Sequence, residues 1–349
     1  MNEKIIYFKD FSENDWNKAI LKLTGNTHAY SWNFINYYMS CYTDVENLSF
    51  IYFFENKPIS AVIIGLKRSN KKNIFCLGDN NMYCPSPLFL HSKNSLVRKK
   101  NYLKIFDIIK SLAKKQNVKK YLIYSHPINN IFDDNKNVFL PKLDSKNQFE
   151  HLPFAKNFSI YDSIILDLSI SKEKLWENLS YDRKKNITKC SKKDITIVTC
   201  NHKNKIDKID NYFTQFKKEH FLAAGFQTRT DESWTQMKKN LMSDEADLFL
   251  MNYKNKIISF LFCRNYNWCS SSWSQVNLKK YEKEFSPRHL LEWEAIKYYK
   301  NKKNKFYDAG PRYFNYKNHE HEKKLITISD FKEKFGGQVY PSVKFEIEF

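Results

Sequence analysis

Ser286-Pro287-Arg288-His289-Leu290-Leu291-Glu292-Trp293-Glu294-Ala295-Ile296-Lys297-Tyr298-Tyr299 opens the stretch that decides the fold. A Lys/Asn run follows, then Lys305-Phe306-Tyr307-Asp308-Ala309-Gly310. Further on stands Ile328-Ser329-Asp330-Phe331-Lys332-Glu333-Lys334-Phe335-Gly336-Gly337. Proline at the first helical position loses no hydrogen bond, so Pro287 starts a helix over 287–300. Phe306–Ala309 is a short apolar strand ending in Asp-x-Gly. Lys332 then lies in a turn whose glycines, Gly336 and Gly337, supply positive φ.

Working back from this stretch, a repeated order of elements emerges. Asp247–Asn252 and Ile257–Arg264 read as a hairpin around Tyr253-Lys254-Asn255-Lys256, with a further strand at Trp268–Ser274. Asp231–Met242 and Lys205–Ala224 are helices, Ile195–Val198 and Ser163–Leu168 strands. A helix capped by Ser171 opens this half. The first half runs similarly. Helices at 11–23 and from Trp32 precede a hairpin, Leu48–Phe54 and Ile59–Leu66, turning at Glu55-Asn56-Lys57-Pro58. A strand at Asn73–Leu77, a helix at Tyr102–Ala113 and a strand at Lys120–Ser125 follow. Tyr83-Cys84-Pro85-Ser86-Pro87 reads as a loop, because two close prolines disfavour helix and central strand. The shared order implies a structural duplication of mixed α/β (α+β) domains, 1–160 and 161–349, with the C-terminal strand packing back on the first.

Composition limits the function classes. The chain has 349 residues, 42% hydrophobic and 16% aromatic, enough for two cores. No run approaches the roughly 20 apolar residues of a membrane span, and the N-terminus has no signal-peptide pattern, so the reading is cytoplasmic. Seven cysteines form no C-x-x-C pair, which disfavours zinc and disulfide frameworks. A net charge of +20 favours polyanionic partners, or reflects a Lys- and Asn-rich composition. Arginine is scarce at seven residues, so each marks a position where a planar donor is useful.

These motifs together resemble the FemABX family, tandem GNAT-like transferases that attach amino acids to peptidoglycan precursors, with relatives that acylate other substrates. The aromatic helix from Leu175 and the basic stretch Arg183-Lys184-Lys185-Asn186-Ile187-Thr188-Lys189 match the opening of the family's second domain. Ser233-Trp234, the Pro287-x-His289-Leu290-Leu291 helix, Asp308-x-Gly310 and Phe331-Lys332 continue the match. In the first half, Tyr30-Ser31-Trp32 and Tyr83-x-Pro85 match, and Ser86-Pro87 stands where the family often has Gly-Pro. The resemblance implies two GNAT-like domains with a cleft between them. It places Lys332 near the reacting acyl group, where an ammonium stabilises an oxyanion. A surface lysine beside a glycine turn is the alternative.

Asp308 orients or deprotonates the acceptor amine, or else makes an Asx bond to the following turn. Arg183, Arg229 and Arg288 are phosphate candidates. Arg183, Lys184 and Lys185 point in different directions around a helix, so they do not share one ligand. Arg312 and Tyr313 are phosphate or carboxylate contacts, and Trp32, Tyr83 and Trp273 line an acceptor groove or belong to cores. His319-Glu320-His321-Glu322 lacks further ligands at metal spacing, so no metal is expected.

Only seven glycines occur, too few and too scattered for a Gly-rich CoA pyrophosphate loop. The donor reading is therefore aminoacyl-tRNA rather than acyl-CoA, each a co-substrate and not a bound cofactor. The acceptor reading is a nucleotide-linked or lipid-linked envelope precursor, a muropeptide or an amino sugar. Expected partners include tRNA and a peripheral membrane contact, and exclude DNA. An acyl-CoA-dependent N-acyltransferase of surface polysaccharide is one alternative. A non-catalytic RNA- or membrane-surface-binding protein is another.

Overall fold

The computed structural model describes residues 2–349 other than 43, 70–71, 79–81, 91, 93–94, 131–153 and 315–321. The histidines of 319–322 lie outside the described residues. The chain divides into two compact units, Met1–Tyr161 with Pro341–Phe349, and Asp162–Tyr340.

The first unit holds β1 (Glu3–Tyr7), α1 (Glu13–Ile20), α2 (Trp32–Cys41), β2 (Val45–Asn47), β3 (Phe50–Phe54), β4 (Lys57–Val62), β5 (Gly65–Lys67), β6 (Asn73–Phe75), β7 (Cys84–Pro85), β8 (Leu88–Phe89), α3 (Ser95–Lys115) and β9 (Val118–Ser125). One sheet runs β1-β3-β4-β8. In a second, β9 pairs antiparallel with the C-terminal strand Gln338–Glu348, from Val343↔Ser125 to Glu348↔Lys120. Ser12 and Ser31 cap α1 and α2 by accepting the amides of Asp15 and Phe34.

The segment read as a loop at 83–87 contains a strand, because its two prolines are not asked to donate. Cys84–Pro85 runs parallel to β9, and the ladder's donor is Ser86 N, 3.0 Å from the Tyr124 carbonyl. The core gathers Trp16, Tyr30, Phe34, Phe50, Phe106 and Tyr121 at full burial. Trp16 Nε1 donates to the Tyr30 carbonyl at 2.8 Å, and Tyr30 OH donates to the Ser86 carbonyl at 2.6 Å. Both polar tips are thus satisfied inside an apolar core.

The second unit holds the end of β10 (Ala155–Asp167) from Asp162 onward, α4 (Lys172–Asn178), α5 (Tyr181–Ser191), β11 (Ile195–Cys200), α6 (Ile209–Ala224), α7 (Asp231–Met242), β12 (Ala246–Tyr253), β13 (Lys256–Tyr266), β14 (Cys269–Asn277), α8 (Lys279–Phe285), α9 (Pro287–Asn301), β15 (Phe306–Arg312) and α10 (Lys323–Glu333). Its sheet runs β11-β12-β13-β14-β15-β10. Every pair is antiparallel except β14 with β15. Alternate residues of β13 face opposite sides. Phe260 and Phe262 meet Phe216 of α6, which in turn packs on Trp234 of α7. Leu261 and Cys263 join a core with Leu291, Ile296 and Tyr299 of α9.

The hairpin turns of the two units use the same chemistry. Glu55-Asn56 and Lys254-Asn255 all have positive φ, the mark of a two-residue type I′ turn. Buried Asp247 braces the second unit. It accepts from Tyr299 OH at 2.8 Å, Tyr298 OH at 3.2 Å and the Asn201 amide, with Lys302 Nζ 3.7 Å away. A buried carboxylate with this many donors is structurally satisfied.

Candidate functional site

The site grows from a defect in the second sheet. β14 and β15 pair in parallel at three positions only, Cys269↔Phe306, Ser270↔Tyr307 and Ser271↔Asp308. Both strands then carry a bulge. Trp273 is the extra residue between Ser272↔Cys263 and Ser274↔Phe262, and Ala309 the extra residue between Asp308↔Ile165 and Gly310↔Ile164. Bulges re-aim strands and side chains next to functional sites. Beyond Asp308 the parallel pairing stops, while β15 continues against β10 to Arg312. Asp308 is therefore a mid-strand residue at a fork, and the strand extends past the sequence-based end at Ala309.

Lys332 reaches this fork from α10. Sequence reading put it in a turn, but it occupies the last helical turn, where a cation also complements the helix dipole. Its ammonium lies over Gly310, so that a Cβ there would stand 2.6 Å from Nζ. Gly310 has φ +106, which side-chain-bearing residues rarely adopt. Burial lowers the Lys332 pKa, opposed by the charges of Glu292 and Asp308, with Arg264 and Arg288 adding to the lowering. Only one of the turn's glycines is conformational. Gly336 has φ +86, whereas Gly337 is held small by packing, since its Cβ would stand 2.5 Å from Ile164 Cγ2.

Glu292 is a site residue that the motif reading passed over. It projects from α9 into the core at 3% exposure. Tyr307 OH donates to Oε1 at 2.7 Å and Ser272 Oγ to Oε2 at 3.4 Å. Burial raises its pKa, opposed by Tyr307 and by Lys332. The available signal was a lone carboxylate inside Leu290-Leu291-Glu292-Trp293, a position apolar residues normally hold.

Asp308 makes the Asx bond, its Oδ1 accepting from Gly310 N at 2.8 Å, while its charge also reaches Lys332. Arg288 stacks on Phe331 at 4.9 Å, with no carboxylate at ion-pair distance among the described residues. Arg183 is buried against Phe331 at 4.3 Å and Phe335 at 5.6 Å. It donates to the Phe331 carbonyl at 3.2 Å and to His289 Nε2 at 3.1 Å. Burial pulls its pKa down to about 10, and burial beside Arg183 and Arg288 pulls His289 to about 3. His289 is thus a neutral acceptor, and Arg183 positions α10 and with it Lys332.

Arg229 lies between Trp234 at 5.1 Å and Trp273 at 5.7 Å, with His220 Nε2 3.3 Å from its Nη1. No carboxylate pairs with it among the described residues. Trp273 also stacks under Arg264 at 5.0 Å. Arg312, read as a phosphate or carboxylate contact, is closed internally instead. It pairs with Asp330 at 2.7 Å and Glu333 at 2.6 Å and donates to the Tyr313 carbonyl at 2.6 Å. Tyr313 N donates to Ser329 Oγ at 3.2 Å, so this pair ties β15 to α10. Trp32 and Tyr83 belong to the first unit. Trp32 stacks on Phe8 at 4.0 Å. Tyr83 donates to Glu346 at 3.0 Å under the Lys344 ammonium, with its pKa raised to about 12 chiefly by burial.

No family model and no curated protein matches the sequence. Solved structures do match the fold. FemX aligns over 99% of this chain and 97% of its own with TM-score 0.69 at 12% identity. The chain has the tandem GNAT fold of FemX. A C-terminal domain of a putative lysylphosphatidylglycerol synthetase from Agrobacterium fabrum aligns over 96% and 92%, TM-score 0.61, 9% identity. A tandem GNAT protein from the clavulanic acid biosynthesis pathway aligns over 99% and 98%, TM-score 0.53, 10% identity. Within this fold, the residues gathered at the β14–β15 fork are Lys332, Glu292, Asp308 and Arg288, with Arg183 behind them. Among the described residues, no helix is long and apolar enough to cross a membrane, and no His, Cys, Asp and Glu group could hold a metal ion.

Proposed function

We propose that this tandem GNAT protein is an N-acyltransferase. It joins the acyl group of an activated donor, aminoacyl-tRNA, to an amine of a nucleotide- or lipid-linked envelope precursor. The observation that carries the reading is the enclosed Lys332 ammonium over Gly310 at the strand fork, beside carboxylates. The acceptor amine attacks the ester carbonyl, forming the C–N bond and an oxyanion. Lys332 is the donor for that oxyanion in a low-dielectric site. Collapse breaks the C–O ester bond, and the ribose hydroxyl leaves with a proton that the amine gives up. Glu292 and Asp308 are the carboxylates beside Lys332 for orienting the amine and relaying that proton. Arg229 and Arg288, without carboxylate partners, suit phosphates of donor or acceptor.

The tRNA donor and envelope acceptor rest on two supports: the FemABX resemblance of the motifs, and the fold shared with FemX and a putative lysylphosphatidylglycerol synthetase. An acyl-CoA donor is the second reading. It is favoured by the first turn of α9, which has no side-chain cap and carries Arg288.

The test is thermal stability against CoA, a UDP-linked muropeptide and bulk tRNA, separately and at two salt concentrations, since a ligand binding only the folded form raises the melting temperature. A muropeptide shift with salt-sensitive tRNA binding and none with CoA supports the aminoacyl reading. A saturable CoA shift sinks it in favour of the acyl-CoA enzyme.

A further inference from the structure

We propose that the lysine face of α5 is the surface on which the RNA donor's phosphodiester backbone docks, an inference that rests on the donor reading above. Residues four apart on a helix stand one above another. Tyr181, Lys185 and Lys189 form one such row and Lys184 and Thr188 a second beside it, with Lys192 and Lys193 following just past the last helical residue. Together with the helix end they line a solvent-open cleft of about 650 Å³. The helix buries Arg183, Ile187 and Cys190 on its other side, so the lysines are free to face outward.

Some lysines elsewhere in the protein are neutralised internally. Lys104, Lys120, Lys217 and Lys238 each hold a carboxylate within 3.0 Å. Among the described residues, no carboxylate lies within ion-pair distance of the α5 lysines, although Asp182 and Asp194 flank them. Lys184 donates to the Glu177 carbonyl at 2.9 Å, and Lys193 lies 5.9 Å over the Phe285 ring. Spacing of four residues puts successive ammonium groups roughly 6 Å apart, a row suited to a string of phosphates. Tyr181, 78% exposed at the head of the row, offers a ring for base stacking. A membrane-binding helix would need an apolar face toward the lipid, and this outward face has no Leu, Ile, Phe or Trp.

The experiment is anisotropy of labelled bulk tRNA against the full-length protein over a salt series. It uses the triple variant Lys185→Gln/Lys189→Gln/Lys192→Gln and an equal-charge control, Lys9→Gln/Lys18→Gln/Lys22→Gln. All six lysines are exposed, so melting temperatures should match wild type and fold loss is checked directly. The expected result is about tenfold or greater weakening by the α5 variant. Its log–log salt slope should be shallower by about 2 to 3, since each phosphate contact contributes roughly 0.9. The control should stay within about twofold.

Equal weakening by both triples, or by neither, overturns the docking surface and leaves the donor reading standing. Wild-type protein that fails to bind tRNA at low salt overturns the donor reading and the surface with it. Loss of binding to phosphatidylglycerol vesicles by the α5 variant, with tRNA binding intact, reassigns the face to a membrane and also overturns the proposal.

Discussion

Gly310→Ala tests the site through one methyl group. Two costs separate cleanly because the protein carries an internal control. Gly225, the C-cap of α6 at φ +79, has nothing within 4 Å of where a Cβ would stand. Gly225→Ala therefore measures left-handed backbone strain alone, about 1–2 kcal/mol. At Gly310 the φ of +106 costs about 1–3 kcal/mol. The methyl would also stand 2.6 Å from Lys332 Nζ, well inside contact distance. The ammonium must retreat by roughly 1 Å to restore contact, and misplacement on that scale costs on the order of 10²-fold in rate. Both variants should lose similar stability in urea titrations. Only Gly310→Ala should lose about 10²-fold in amide formation, measured as transfer of labelled amino acid from charged tRNA to UDP-muropeptide. If Gly310→Ala is destabilised like Gly225→Ala yet transfers at the wild-type rate, the ammonium over Gly310 is not part of the chemistry.

Lys332→Ala should lower kcat by about 10²–10³ with KM little changed, since an oxyanion donor acts in the transition state; a KM effect alone would reassign Lys332 to ground-state binding. Glu292→Gln removes a charge that raises the Lys332 pKa, so the alkaline limb of the pH–rate profile should move to lower pH. An unmoved limb would show that the ammonium does not control that limb. Arg312→Ala should cost about 2 kcal/mol, between the values for exposed and buried ion pairs, without weakening UDP-muropeptide binding, read by calorimetry. His220 and His289 have native pKa values lowered to about 4 and about 3, in both cases mainly by burial. The unfolded chain takes up these protons near 6.5, so their contribution is present above 6.5. It is lost as pH falls toward 4 and 3, by at most about 1.4 kcal/mol per pH unit for each residue. Urea midpoints should fall between pH 7 and 4.5, and less so in His220→Gln/His289→Gln.

What the sequence disclosed and what it withheld divide along physical lines. The hairpin at 253–256 and the helix at 231–242 are local: alternation, an N-cap at Thr230 and two residues able to take positive φ suffice. The helix started by Pro287 is local for the same reason. α10 was not legible, because Ile326-Thr327-Ile328-Ser329 reads as strand by propensity and becomes helical through tertiary contacts. Ser329 is fully buried there and bonds to Tyr313, while Arg312 grips Asp330 and Glu333. The start of β10 at Ala155 was equally hidden, since its first residues are largely exposed and show no alternation. Lys332 was recognisable by motif, but Glu292 was not, because its meaning depends on Tyr307 and Ser272, which only the folded sheet brings to α9.

The distribution of unpaired cations argues for the kind of ligand. Lys217, Lys238, Lys302 and Arg312 are each closed by carboxylates of the same unit. Arg183, Arg229 and Arg288 are faced instead by rings, a carbonyl and neutral histidines. Removing a guanidinium from water without an opposite charge is unfavourable by several kcal/mol unless something offsets it. Burial has already pulled Arg183 down to about 10; the charge of Asp182 opposes that pull and Arg288 adds to it. Stacking on Phe331 recovers part of the loss for Arg183, about 0.5–2 kcal/mol. For the buried Arg183 the remainder is a cost that a bound anion would relieve, which is the role proposed above for a substrate phosphate. Such a ligand binds the folded state alone, so a phosphate-bearing substrate should raise the melting temperature more than a neutral analogue of the same size. Equal shifts from both would mean that the rings, and not a ligand, complete the balance of these arginines.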